Sequence, residues 1–367
     1  MKLYNNNNKI IFKKITSVIC GNKLKSLTKK YNTDYRAQHF YTESHILSMI
    51  YLQLSGTQSL NGLVDKIKHS PKLQSMINSA SLSQISRKNA SRDYRVFEDV
   101  FYEVLNIAKR KLGITVLNKH FKEIKAIDST IIQIASTLAP KLNYENGKSG
   151  LKISTLLNIS SKLPEKVEIV PARTNDRKCI NGFISDKNAL YLFDKGYYDY
   201  SWYDNLSDNG YKFITRQTSN AVTEEISSTY VDNDLVFDYE VTMGTDYSSN
   251  KTKNTYREIL TFDENEEEVR ILTNIFDIPA EEILLLYKLR WKIELFFKWI
   301  KQNLKIKKWL GYNENAVKIQ IYSALIAYVL LMLFKLLIKS KLSILQFTRV
   351  IEINLLEEVE IMRLLDG

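Results

Sequence analysis

Tyr287, Arg290, Glu294 and Lys301 recur at steps of three, four and seven residues within the stretch YKLRWKIELFFKWIK. On an α-helix, at about 100° per residue, these four fall in a stripe roughly 60° wide. Lys298 and Lys305 lie on or beside that stripe, and Leu289, Ile293, Phe296, Ile300 and Leu304 form an apolar stripe next to it. One carboxylate among several cations is what a site needs to hold a divalent metal and grip a polyanion together. The plainer reading is an amphipathic helix with a solvated basic face. Two further acids weigh against it: Asp128 in AIDST and Asp194 in FDKGYYDY. Two-metal phosphoryl transfer needs ions about 3.5–4 Å apart, held by a few carboxylates from different elements.

The elements that must position these groups can be read from periodicity. FKEIKAIDST reads as a strand over 121–127 that delivers Asp128 at its end. LKISTLLNI and KVEIVPAR read as two more strands, the first after the turn signal Asn146-Gly147. CINGFISDK, over 179–187, is expected to be a short helix. ALYLFDKG is a buried strand ending abruptly in an acid and a glycine, the way an α/β sheet delivers a catalytic group to its edge. A helix over YSWYDNLSDNG and a strand over 211–217 follow, then a polar stretch, 218–275, that alternates like an antiparallel β insert. Pro279 stands where a helix carrying the cationic stripe begins. The run Ile319–Phe334 is shorter than a membrane span and is expected to be a buried helix beside that one. Upstream, 39–117 reads as short helices, with one long helix from Ser81 or Ser83 to Gly113. The start of that helix carries Arg87, Lys88 and Arg92, which suits insertion into a DNA groove.

Charge is unevenly spread over the 367 residues, whose net is +11. Residues 1–120 hold 20 Lys and Arg against 7 Asp and Glu, a net of +13, while the remainder is nearly balanced at −2. The N-terminal third therefore carries the general attraction to a polyanion. Cys20 and Cys179 are far apart and fit neither a disulfide framework nor a zinc site, which suits a reducing compartment. The N-terminus lacks the apolar core of a signal peptide.

The spacing Tyr-(2)-Arg-(3)-Glu-(6)-Lys is met without a gap by Tyr287, Arg290, Glu294 and Lys301. With both aspartates in context, the chain resembles a bacterial DDE-type insertion-sequence transposase, in particular the insertion sequence four family. The likeness runs from about residue 39 to 338 and includes SLNGL, LSQISRKNASRDYRVFED and KQNLKIKKWLG. It implies an α/β ribonuclease H-like catalytic core with a β-rich insertion, preceded by an all-helical N-terminal domain. The expected organisation is a partly ordered basic lead (1–38), a helical DNA-end-binding domain (39–120), the core (121–217 and 276–310), the insertion (218–275) and a C-terminal helical region (311–367). The resemblance further implies that Asp128, Asp194 and Glu294 coordinate two Mg²⁺, with Mn²⁺ able to substitute. Tyr287, Arg290 and Lys301 would contact DNA phosphates, with Lys298, Lys305, Arg87, Lys88 and Arg92 as further contacts. The implied partners are double-stranded DNA, both terminal inverted repeats and target, and a second copy in a synaptic homodimer, with no membrane. The implied location is bacterial cytoplasm, at the nucleoid. Related enzymes stack a flipped base on a Trp of the insertion, whereas Trp202, Trp291, Trp299 and Trp309 all lie outside it here. Either Tyr230 or Tyr239 takes that role, or the hairpin step differs. Two alternatives stay open: a ribonuclease H-like nuclease without strand transfer, and a catalytically inactive DNA-binding relative.

Overall fold

The computed structural model describes residues 10–19, 21–112, 118–134, 143–145, 148–180, 182–233, 235–244, 251–303, 309–311, 313–358 and 360. Seven helices come first: α1 (Ile11–Thr16), α2 (Asn22–Lys30), α3 (Thr42–Leu54), α4 (Leu60–His69), α5 (Pro71–Gln74), α6 (Leu82–Ser91) and α7 (Arg95–Leu112). Next are β1 (Glu123–Ile134), β2 (Asn143–Glu145), β3 (Lys148–Asn158), β4 (Leu163–Pro171), α8 (Asp176–Cys179), β5 (Ala189–Phe193), α9 (Tyr200–Asp208) and β6 (Lys212–Arg216). The rest are β7 (Thr223–Thr229), β8 (Phe237–Met243), β9 (Tyr256–Phe262), β10 (Glu268–Thr273), α10 (Ala280–Lys288), α11 (Trp291–Asn303), α12 (Glu314–Leu337) and α13 (Ile344–Asn354). The chain divides into two compact units.

The first unit takes the described residues of Met1–Gly113, Gln133–Gly150 and Lys298–Gly367. Its axis is α12, which carries no charge between Lys318 and Lys335 and is buried along nearly all of Ala316–Phe334. A helix apolar on every side must be surrounded, and α12 packs against α7, α3, α6, α1 and α13. It is long and apolar enough to cross a bilayer, but it is enclosed by its own protein. Trp299 of α11 also meets it, with its ring 4.8 Å from that of Tyr328, although α7 and α3 are its main neighbours. Ser81 and Ser343 start α6 and α13 with capping boxes completed by Gln84 and Gln346.

The single long helix expected over 81–113 is two helices. Arg92 leaves helical geometry at φ −72°, ψ 127°. Asn315 holds the break open: its Oδ1 accepts from Tyr94 N at 3.1 Å, and its Nδ2 donates to the carbonyls of Asn89 and Arg92. One side chain thus serves the last carbonyls of α6 and a first N–H of α7, groups a helix end otherwise leaves unpaired.

The second unit takes the described residues of Ile114–Ile132 and Leu151–Phe297. Its sheet runs β3-β1-β5-β6-β10-β9-β8-β7, with β4 paired to β3. β1, β5 and β6 are parallel, and β10 joins β6 antiparallel. All five residues of β5 are buried, as an interior parallel strand requires. Phe193, Tyr203, Phe213 and Tyr256 pack together in a buried aromatic core, with ring centroids 5.2–6.1 Å apart. β7–β10 form an antiparallel meander, and through β10 it continues the main sheet. The helix expected over 179–187 does not form: α8 ends at Cys179, and Gly182 takes φ +75°. The Tyr191 hydroxyl accepts from the N–H groups of Ser185 and Asp186 and fixes that stretch as a loop.

Candidate active site

Asp128 lies inside β1, which runs on to Ile134, and not at a strand end as its sequence context suggested. Ala126 pairs with Leu192 across the parallel β1–β5 ladder. Carrying that register two residues on sets Asp128 beside Asp194, the first residue after β5. The two acids thus arrive together because two apolar strands pair in parallel. Glu294 comes from α11, and the helix that carries it differs from expectation. The stretch Tyr287–Lys301 is broken: Tyr287 is in the last turn of α10, Arg290 sits in the junction and Glu294 is in the first turn of α11. The junction is spanned by tighter bonds, Arg290 N to Tyr287 O at 2.9 Å and Ile293 N to Arg290 O at 3.0 Å, a 3₁₀ step that interrupts the α pattern.

Arg290 links the acids. Its Nη2 donates to Glu294 Oε1 at 2.8 Å, and its Nη1 is 3.5 Å from Asp128 Oδ2. Its guanidinium lies 5.8 Å from the Tyr287 ring, and the Tyr287 hydroxyl is 3.4 Å from Asp194 Oδ1. Burial pushes the Asp128 carboxyl up to about 6; the Ser129 N–H and Arg290 pull it back, while Asp194 and Glu294 push it further. Burial also raises the Tyr287 hydroxyl, with Asp194 adding to the rise. Burial alone would lower Arg290, but Tyr287 and the acids around it hold it above its ordinary value. Arg290 Nε is buried and has no hydrogen-bond acceptor among the described residues.

A polar cluster that the sequence did not reveal backs Asp128. Ser129 N–H donates to Asp128 Oδ1 at 2.7 Å, and Ser129 Oγ is 2.8 Å from Ser154 Oγ and 2.9 Å from the Tyr197 hydroxyl. Asp199 caps α9 through Trp202 N, and Asp176 pairs with Lys152 at 2.9 Å, so both nearby acids have structural work.

The donor set Asp128, Asp194 and Glu294 is hard oxygen throughout, which suits Mg²⁺ or Mn²⁺. A desolvated carboxyl raised by two neighbouring acids is also where a cation is favoured, and Arg290 supplies the positive charge here. Among the described residues no three His, Cys, Asp or Glu side chains are gathered closely enough to hold one ion as they stand. The residues fit a divalent cation by their chemistry, with Asp128 and Glu294 at Arg290 and Asp194 at the neighbouring Tyr287.

The other expected contacts fall differently. Lys298 and Lys301 are exposed on the later turns of α11, in the first unit. Lys305 and Gly113 lie outside the described residues. Arg87 is exposed and Lys88 half-buried on α6. Arg92 as a DNA contact is corrected: its side chain is buried, and its Nη atoms donate to the carbonyls of Phe40 at 2.9 Å and Tyr41 at 3.3 Å. It fastens α6 to the segment before α3 and presents no charge to a phosphate. Tyr230, beyond β7, is 88% exposed, whereas Tyr239 is half-buried in β8.

The family described as Transposase DDE domain matches residues 119–330, and Domain of unknown function (DUF4372) matches 7–77. The candidate transposase y4zB of Sinorhizobium fredii is 30% identical over 266 residues, covering 71% of this chain and 73% of that one. The candidate transposase for insertion sequence element IS4SA of Synechocystis is 29% identical, covering 69% and 71%. The transposase for insertion sequence element IS231B of Bacillus thuringiensis is 23% identical, covering 83% and 75%. Among solved structures, the piggyBac transposase synaptic complex with hairpin DNA superposes with a TM-score of 0.50 at 10% identity, covering 97% of this chain and 82% of that one. That likeness concerns the fold, and with the parallel β1-β5-β6 core it fits a ribonuclease H-like α/β arrangement.

Proposed function

Because the chain belongs to the DDE-domain insertion-sequence transposases, we propose that it moves its own element by cut and paste, with Asp128, Asp194 and Glu294 as the reacting centre. It is a DNA transposase, an enzyme that cleaves DNA strands and joins them. The observation that best supports the site is that Asp128 and Glu294 share the Arg290 guanidinium while the β1–β5 register sets Asp194 beside Asp128.

In the first step a water oxygen attacks the phosphorus at the element's end. The bond to the 3′ oxygen breaks, leaving a 3′-OH on the element and a 5′-phosphate on the flank. In the second, that 3′-OH attacks a target phosphodiester and displaces another 3′ oxygen. Two Mg²⁺ ions, held by the three acids and replaceable by Mn²⁺, would activate the nucleophile and stabilise the leaving oxygen. Tyr287 and Arg290 orient the scissile phosphate. The buried Arg290 Nε, without an acceptor among the described residues, supports a phosphate as its partner. Lys298, Lys301 and Lys305 are further phosphate contacts in this reading, and Arg87 and Lys88 on the helical N-terminal domain add end contacts. The partners are the terminal inverted repeats, target DNA and a second copy in the synapse, and the enzyme works at the nucleoid without a membrane.

An excision assay on a supercoiled plasmid carrying the element's ends tests this reading. A transposase releases the element and joins it to target with Mg²⁺. A nuclease only nicks, and an inactive relative only binds.

A further inference from the structure

The turn after Asp194 reaches back to Asp128. Tyr197 closes the 3₁₀ turn Lys195–Tyr197, and its backbone N–H donates to the Asp194 carbonyl at 3.1 Å. Its hydroxyl lies 2.9 Å from Ser129 Oγ, and the Ser129 N–H donates to Asp128 Oδ1 at 2.7 Å. Through the covalent frames of Tyr197 and Ser129, these contacts join the backbone of one acid to the carboxylate of the other. Ser154 on β3, the strand on the other side of β1, holds Ser129 Oγ at 2.8 Å from behind. Tyr197 is 2% exposed with its ring near that of Phe193, so its hydroxyl has no solvent to turn to. The neighbouring Tyr198 is 40% exposed, so the turn selects one tyrosine for this task.

The plainer account is a core tyrosine satisfied by the nearest hydroxyl. It leaves unexplained why Tyr197 bonds the Asp194 carbonyl with one end and, with the other, the serine whose N–H holds Asp128. A ligand pair must be held within about 0.5 Å of its working geometry by groups that are themselves fixed. β1 and β5 alone fix the two backbones but not the Asp128 carboxylate. The Ser129 N–H engages Oδ1, and Oδ2 is left toward Arg290.

We propose that Tyr197 is a positioning residue. Through Ser129 it sets the spacing and orientation of Asp128 relative to Asp194, and so the affinity of the pair for a divalent cation. The proposal rests on the reading of these aspartates as metal ligands. Outer partners of metal ligands typically matter 10- to 100-fold in affinity.

The test uses the full-length protein with Tyr197→Phe, Ser129→Ala, the double variant, Ser129→Thr and Asp128→Asn. Mn²⁺ binding to the DNA-free protein is followed by electron paramagnetic resonance, and the Mg²⁺ concentration for half-maximal cleavage is measured separately. Tyr197→Phe and Ser129→Ala should each weaken Mn²⁺ binding and raise the Mg²⁺ half-point by roughly 10-fold or more. The double variant should be no worse than the worse single one, since both break the same chain. Ser129→Thr keeps the hydroxyl and should stay near wild type. Wild-type Mn²⁺ binding and Mg²⁺ half-point in both single variants would overturn the proposal, even if their melting temperatures fell. Should Tyr197→Phe fail to fold, Ser129→Ala decides. If Asp128→Asn binds Mn²⁺ and cleaves like wild type, the ligand reading itself fails. If it does neither while the two single variants are unaffected, only the role of Tyr197 fails.

Discussion

Replacing Arg290 by alanine removes two things at once, and they can be separated. In the DNA-free protein, Arg290 pairs with Glu294 at 2.8 Å and lies 3.5 Å from Asp128, with its own side chain 15% exposed. Breaking a fully buried pair costs about 3–5 kcal/mol. Glu294 is 33% and Asp128 23% exposed, so solvent screening reduces the cost to about 1–2 kcal/mol. In the complex, the same side chain would give charge-assisted bonds to phosphate worth about 1.5–3 kcal/mol, or roughly 10- to 150-fold in cleavage rate. The assay is cleavage of a labelled end duplex in Mg²⁺, run beside thermal melts in chelator and in Mg²⁺. Arg290→Ala should melt earlier in chelator, recover part of the loss in Mg²⁺, and cleave one to two decades more slowly. Cleavage at the wild-type rate would show that Arg290 serves only the apo fold, and the phosphate role would be lost.

The net charge of +13 on residues 1–120 predicts that end-DNA binding by the whole protein weakens steeply with salt; Arg87→Ala and Lys88→Ala should flatten a plot of log affinity against log salt, and an unchanged slope would contradict that. α12 is the helix around which α3 and α7 pack, so a fragment ending near residue 112 should give no cooperative thermal transition by circular dichroism; a sharp melt would refute this. His45 is fully buried between Phe40 and Phe97, and burial, then the Arg92 charge, holds its pKa well below the ordinary value. Below about pH 6.5 the unfolded chain therefore binds the extra proton first, and stability falls by up to about 1.4 kcal/mol per pH unit as pH drops. Urea unfolding between pH 7.5 and 5 should show a shallower fall in His45→Phe; an identical slope would exclude His45 as a cause.

Periodicity exposed β5 because it is a short, wholly apolar run stopped by Asp194, and β1 because its apolar residues Ile124, Ala126 and Ile127 come just before Asp128, although the strand itself runs on to Ile134. The proposed acids drew notice for the same reason: a lone acid beside an apolar run stands out in a sequence. The two helix breaks were not legible, because neither is signalled by Gly or Pro. One is stabilised by Asn315, which is 221 residues from Tyr94, and the other by local 3₁₀ bonds within a helical pattern. Arg92 read as a surface cation because sequence shows charge and not direction; only the carbonyls of Phe40 and Tyr41 reveal that it turns inward. Tyr197 was hidden among three tyrosines in DKGYYDY, and only the turn geometry shows which one meets Ser129.

The most direct measurement takes Asp128→Asn, Asp194→Asn and Glu294→Gln, each of which keeps shape and removes ligand charge. Each variant is incubated with a labelled end duplex and a target plasmid in Mg²⁺, with end binding checked by gel shift. All three should bind the end, stay folded, and lose nicking and strand transfer together, because one cation pair would serve both steps; Mn²⁺ should restore a part. Robust Mg²⁺-dependent cleavage by any one of them would contradict the assignment of that acid, and Asp176 or Asp199 would then be the next residue to substitute.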